Sequence, residues 1–283
     1  MKQQGVALLL VLWVVALLTA LIGAFALTAR VEALQGRVVS DGAAAQEIAR
    51  AGVEYALVRV ADTDPMTHWM PNGQEYAWTF ADSELRIRIT DESGKIDLNN
   101  ASFELLIGLF QAVGVERRES ERLAGAVVDW RDSDSLTQPS GGAEDADYAA
   151  AGLPYGAKDA PFETVAELEL VLGMTPELYA KVEPSLTLYS GRSQPDPRYA
   201  PGDVLTAMGL DAKSVLSERE RSMQATQNAG TVDSGSRTYS IESRVRLGNG
   251  REGGVRMVVN SRPRSPVPGL AYDILRREEG LVD

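Results

Sequence analysis

Apolar positions along the chain fall into three successive patterns. From Val6 to Leu27 the chain is apolar without pause, 22 residues in which only Thr19 and Gly23 fall outside the apolar set and none is charged. A helix of that length spans about 33 Å, enough to cross a hydrocarbon core, whereas the apolar part of a secretory signal is about 7–15 residues. Length therefore favours a retained membrane anchor, 6–27. Ala24-Phe25-Ala26 resembles a signal-peptidase site and keeps a removed signal as the competing reading. Beyond the run the pattern turns amphipathic: Val31, Leu34, Val38, Ala45, Ile48, Gly52, Val53, Ala56, Leu57 and Val60 recur at three- and four-residue steps. One helix of about 80 Å, softened near Ser40-Asp41-Gly42, is the expectation, its front free for lipid or partner helices and its back packed on a head.

The second pattern is alternation. After a loop from Asp62 to Gln74, Glu84 to Thr90 alternates strictly, and Asp91-Glu92-Ser93-Gly94 turns the chain before Lys95-Ile96-Asp97-Leu98. Near the C-terminus Tyr239, Ile241, Val245 and Leu247 alternate with Ser240, Glu242, Arg244 and Arg246, and Val255-Met257-Val259 follows the Asn249-Gly250 turn signal. These strands are expected to join one antiparallel sheet packed on the long helix. Between them the period becomes helical: Phe103, Leu106, Ile107, Phe110 and Val113; Leu123, Val127 and Trp130; Val165, Leu168 and Leu172; then Tyr179 and Val182 after Pro176. Asn100 or Ser102 can cap the first of these helices, and Pro176 suits the first turn of the last. The reading is an α+β fold: a long N-terminal helix on a small antiparallel sheet, with a large all-α subdomain inserted in it. Its parts are a helix and first strands (28–98), the helical insert (99–217), a linker or ragged final helix (218–236) and the last strands (237–283).

Charge and composition then narrow the chemistry. Lys and Arg number 28 against 40 Asp and Glu, a net charge of −12 that repels phosphate backbones and argues against nucleic acid as a partner. Without cysteine there is no disulfide, thiolate nucleophile or sulfur-bound zinc. The single histidine, His68, sits in a turn-rich stretch and reads as an exposed loop side chain. No nucleophile–base pair, Gly-x-Ser-x-Gly elbow or phosphate-cradling Gly-Lys-Ser/Thr loop is found, so no enzymatic activity is expected. Trp69, Trp78 and Trp130 read as core or interface rings. Lys95 to Ser102 followed by Gly114-Val115 resembles a helix-hairpin-helix unit. Glu116 stands where that motif needs its second glycine, and Glu119 and Glu121 offset Arg117 and Arg118, so the hairpins read as packing scaffolds.

One loop is chemically conspicuous. Six carboxylates, Asp129, Asp132, Asp134, Glu144, Asp145 and Asp147, share the stretch with one base, Arg131, and Gln138 to Gly142 folds it back. The pairs Asp132/Asp134 and Glu144/Asp145 can thus face each other. Such carboxylates repel by about 1 kcal/mol per close pair even in water, and a hard divalent cation would reverse the sign. An all-oxygen donor set on a flexible loop suits calcium better than zinc or magnesium. A solvated acidic surface loop is the alternative.

Met1-Lys2-Gln3-Gln4-Gly5, abutting Val6-Ala7-Leu8-Leu9-Leu10, resembles the leader of type IV pilins and pseudopilins. That resemblance implies a leader (1–5) cut between Gly5 and Val6 by a prepilin peptidase, methylation of the new amine, and an inner-membrane helix with its N-terminus cytoplasmic and the body periplasmic. Most members carry glutamate at the fifth mature position, where it neutralises a neighbour's amine; here Leu10 stands there. A buried carboxylate is kept only where it finds a partner, so Leu10 suggests a filament tip with nothing above it. The fold then expected is type IV pilin-like.

Asp129-Trp130-Arg131-Asp132-Ser133-Asp134 and Gly142-Ala143-Glu144-Asp145, with Tyr148, Pro154-Tyr155, Pro161-Phe162 and Glu167-Leu168, resemble the helical domain of the K-type minor pseudopilins of type II secretion. The resemblance implies calcium held by Asp132, Asp134, Glu144 and Asp145, with Asp159 where the family often has asparagine. It also implies a place in the pseudopilus that exports folded proteins. The partners implied are minor pseudopilins of the I, J and H types, the prepilin peptidase, the inner-membrane assembly platform and, in one version, secreted substrates. An exported calcium-dependent binding module is the rival function.

Overall fold

The computed structural model describes residues 4–229, 234–262 and 272–280. Its first element, α1 (Gln4–Ala61), is a 58-residue helix unbroken through Ser40-Asp41-Gly42. Among the described residues one helix is long and apolar enough to cross a membrane, with a mean hydropathy of 2.8 over its most apolar stretch and none of that stretch buried. Leu10, at 63% exposed, belongs to that bare surface. Packing begins later than the periodicity suggests. Val31, Leu34 and Val38 stay about half exposed, while Ala45, Ala49, Val53, Ala56 and Val60 are buried at helical spacing. The buried positions are mostly small, which lets the helix axis approach a sheet closely.

That sheet has five antiparallel strands. They are β1 (Asn72–Phe80), β2 (Ser83–Asp91), β5 (Thr238–Arg246), β6 (Glu252–Asn260) and β7 (Asp273–Gly280), in spatial order β1-β2-β5-β6-β7. Leu85, Ile87 and Ile89 of β2, Tyr239, Ile241 and Val245 of β5, and Val255, Met257 and Val259 of β6 face α1 and close one core with it. Strict alternation put one face of each strand against the helix, as the pattern required. The turn after β5 is Asn-Gly as expected, with Gly250 at φ +82°.

Between β2 and β5 the chain leaves the sheet and builds a second core. Two strands, β3 (Ile96–Asp97) and β4 (Leu186–Thr187), pair in parallel. Around them lie α2 (Phe103–Ala112), α3 (Arg117–Arg131), α4 (Asp145–Ala150), α5 (Pro176–Val182), α6 (Gly202–Ala207) and α7 (Ala212–Ala229). Ser102 caps α2, its Oγ accepting from the Leu105 amide, and Thr175 caps α5 ahead of Pro176. Val165 to Leu170, expected as α-helix, is a 3-10 helix that still buries Val165 and Leu168.

Two expectations are corrected and one choice between alternatives is decided. Ile96 and Leu98 do not extend the main sheet; they are buried in the helical core, so the boundary falls at Asp91 rather than Leu98. Two residues of alternation are too few to say which sheet a strand joins. Of the two readings of the segment from 218, linker or ragged final helix, the helix is the one found, running through Ala229. His68 is half buried, with Nδ1 3.1 Å from the Asp62 carbonyl.

The insert joins the sheet through a neck at the ends of β2 and β5, and meets it again where Arg256 of β6 lies 3.9 Å from Glu183. Asp91 and Tyr239 are cross-strand partners, so the chain departs and returns at one place. Fully buried Asp91 closes it: Oδ1 accepts from Ser93 N (2.8 Å), Ser93 Oγ (2.6 Å) and Ser236 Oγ (2.6 Å), and Oδ2 from Ser236 N (2.6 Å). Trp69 and Trp78 pack as half-buried rings beside α1. Trp78 stacks on Tyr55 at 4.2 Å and Trp69 on Tyr76 at 4.5 Å.

Candidate metal centre

Helix α3 delivers the first half of the acidic loop. Leu123, Ala124, Val127 and Trp130 anchor it in the helical core, and the chain leaves the helix at Asp132, whose amide still donates to the Val128 carbonyl. Asp134 then turns the loop, its Oδ1 accepting from the Leu136 amide at 2.9 Å. The return limb reaches Glu144 at the start of α4, where Asp147 Oδ2 accepts from the Glu144 amide at 3.0 Å. Behind α3 and α4 stand Trp130, Tyr148, Tyr155 and Phe162, with ring centroids 5.7–6.5 Å apart. The aromatic residues of the motif are thus the wall on which the loop rests. Tyr148 also accepts from the Leu172 amide at 3.0 Å.

The fold brings three of the expected carboxylates together. Asp132, Asp134 and Glu144 each place one carboxylate oxygen within 4.8 Å of the others. Asp159, at a positive φ of 54°, lies close enough for its charge to act on both Asp132 and Glu144. Asp145 goes elsewhere: it is exposed, and its Oδ1 lies against Gly156. Adjacent residues on a helix's first turn point in different directions, so Glu144 turns inward and Asp145 out.

The bases nearby do not answer this charge. Arg131 donates Nη1 to the Leu98 carbonyl and Nη2 to the Ala101 carbonyl, and Lys158 is held 2.7 Å from Glu167. Glu144 is only 7% exposed, and among the described residues its Oε1 has no hydrogen-bond partner. Asp132 Oδ1 and fully buried Asp129 Oδ1 are likewise buried without one. Burial, then the charges of Asp129, Asp159, Asp132 and Asp134, push the Glu144 carboxyl up to about 7. Burial first, and Asp134 next, raise Asp132 as well. Several convergent, unpartnered carboxylate oxygens fit a hard cation bound only through oxygen.

The raised carboxyl has a consequence in the cation-free chain. Glu144 keeps its proton in the fold up to about pH 7, against an ordinary value of 4.5. Between those values the folded chain holds more protons than the unfolded one, so stability falls as pH rises and levels off above 7. Melting in chelator across this range should show the fall, and Glu144→Gln should flatten it.

Relatives set these features in context. A family model described as type II secretion system protein K matches residues 87–191, which contain the whole acidic loop. Proteins named type II secretion system protein K align with most of the chain. That of Klebsiella pneumoniae is 29% identical over 209 residues, covering 65% of this chain and 62% of its own length. That of Pseudomonas aeruginosa is 25% identical over 236 residues, covering 69% and 71%. The chain is thus similar to type II secretion system protein K over residues 87–191, and it spans less than two thirds of the Klebsiella protein's length. In solved form, a chain from the GspK-GspI-GspJ complex of enterotoxigenic Escherichia coli shares its fold, with a TM-score of 0.63, 16% identity, and coverage of 88% of this chain and all of that one. The α+β organisation of long helix, antiparallel sheet and further helices is therefore shared with that solved chain. The matched residues 87–191 span the acidic loop, and Asp132, Asp134 and Glu144 lie inside them.

Proposed function

We propose that the chain is a structural, non-enzymatic minor pseudopilin standing at the tip of a type II secretion pseudopilus and supporting export of folded proteins across the outer membrane. The observation that carries this reading is the position of the helical insert. It grows from two neighbouring strands, β2 and β5, at the head of a helix whose apolar front is bare. A head widened in this way leaves no room for a subunit above it. Leu10 agrees, because a topmost stem has no neighbouring amine to neutralise. The apolar stem sits in the inner membrane with its N-terminus cytoplasmic, and the head is periplasmic. Prepilin peptidase cuts between Gly5 and Val6, and the new amine is methylated. Stems and heads of the I, J and H types are the natural neighbours, raised by the inner-membrane platform. The relative's complex with GspI and GspJ supports the first two.

Calcium is the cation best suited to Asp132, Asp134 and Glu144, with Asp159 beside them. When bound it supplies positive charge that lets the carboxylates sit together ionised, which fixes the loop and with it the shape of the insert.

Detergent extraction of the full chain by a tag on its C-terminus tests the assembly. I-type and J-type pseudopilins should co-elute with it, and exchanging residues 6–27 for an unrelated membrane span should abolish this. Elution of the unaltered chain alone would contradict the role and favour a free calcium-dependent binding module.

A further inference from the structure

Asp129 was one acid among six in the sequence, yet its surroundings set it apart. It lies on α3, fully buried, three residues before Asp132. Its Oδ2 reaches across to the return limb of the loop, accepting from Ala143 N at 2.8 Å and more weakly from Gln138 N at 3.4 Å. Gly142 lies directly on this carboxylate, and a methyl there would collide with Oδ2. Ala143, whose amide is gripped, immediately precedes Glu144 and is itself buried. One carboxylate on a rigid helix therefore fixes both ends of the segment that carries Glu144 toward Asp132 and Asp134.

We propose that Asp129 is a positioning residue of the cation site, a role resting on the calcium reading above. Through Oδ2 it locks Gln138 to Ala143 against α3, so that Glu144 stands opposite Asp132 and Asp134 before any cation arrives. It acts through Glu144 and is not itself one of the three clustered ligands, since its oxygens lie outside that group. The acceptor matters to this task and the negative charge does not. Asparagine at 129 keeps an oxygen for the Ala143 amide, whereas alanine leaves that buried donor without a partner.

The test uses the detergent-solubilised full chain, calcium chloride as the probe, titration calorimetry for affinity, and hydrogen exchange of the Ala143 amide in chelator. Asp129→Ala should weaken calcium binding by about tenfold or more and expose the Ala143 amide even without calcium, as loss of an outer group does at other metal sites. Asp129→Asn should keep the amide protected and the affinity within about threefold of wild type, well short of such a loss. Gly142→Ala, which pushes the loop off the carboxylate, should behave like Asp129→Ala and carries the test if the latter does not fold. Calcium affinity unchanged in Asp129→Ala, or in Gly142→Ala if that variant stands in for it, would overturn the role. So would an Asp129→Asn variant as weak as Asp129→Ala with its Ala143 amide still protected, because the charge would then be the active property. A wild-type chain that takes up no calcium would instead overturn the cation reading itself.

Discussion

Saturating calcium should raise the melting temperature of the wild-type chain by about 5–15 °C and leave an Asp134→Ala, Glu144→Ala double variant unmoved. A ligand at 100 to 1,000 times its dissociation constant adds about 3–4 kcal/mol to the folded state, and each kcal/mol shifts a body of this size by roughly 2–4 °C. The sign in chelator is the sharper signature. Above about pH 7, where Glu144 has lost its proton, it is a buried charge with an unpartnered oxygen among like charges, so removing it relieves repulsion, and the double variant should melt no lower than wild type without calcium. A residue that merely packed would lower both melting points. Asp145→Ala should keep most of the calcium response, because that side chain is exposed against Gly156, away from the cluster. Equal melting of double variant and parent in saturating calcium would remove the site.

Asp91→Ala should be the most damaging single change at the neck, costing on the order of 3–4 kcal/mol. Four donors now converge on that buried carboxylate, from the amides and hydroxyls of Ser93 and Ser236. Alanine would strand them, and each unsatisfied buried donor costs about 1–3 kcal/mol, reduced here by water entering the space. Asp91→Asn should recover part of the loss, since one oxygen still accepts. The helical body and the sheet have separate cores, so the damage should show in denaturant as a transition that broadens or splits. A single transition with an unchanged midpoint would mean that the neck does not hold the two bodies together.

What could be read from the sequence depended on how local the determining contacts are. The α1 stripe from Ala45 onward, the β2 alternation and the Asn249-Gly250 turn each declare themselves within a few residues, and the structure agrees with them. Strand β1 did not, because the two-residue turn joining it to β2 is Ala81-Asp82. Both adopt positive φ, of 48° and 56°, without the Asn-Gly or Asp-Gly that advertises such a turn. Strand β7 is an edge strand whose faces are both partly exposed, so Asp273 to Gly280 has no alternation to find. Helix α7 lacks a clear apolar stripe, and its charge and small polar residues looked like those of a linker.

The same division holds at the site. Gln138 to Gly142 could be seen to fold the acidic loop back, so the approach of Asp132 and Asp134 to Glu144 was legible. The separation of Glu144 from Asp145 was not, since it depends on where the first turn of α4 begins. Asp129 was hidden for another reason: its partner is 14 residues away, and only the crowding of Gly142 against it hints at the contact.

The membrane stem bears the rest of the proposal, and the intact mass of the native chain extracted from inner membranes tests it most directly. The expected species begins at Val6, carries one additional methyl group and sediments with the membrane. A chain that begins beyond Ala26 and stays in the soluble fraction would contradict it.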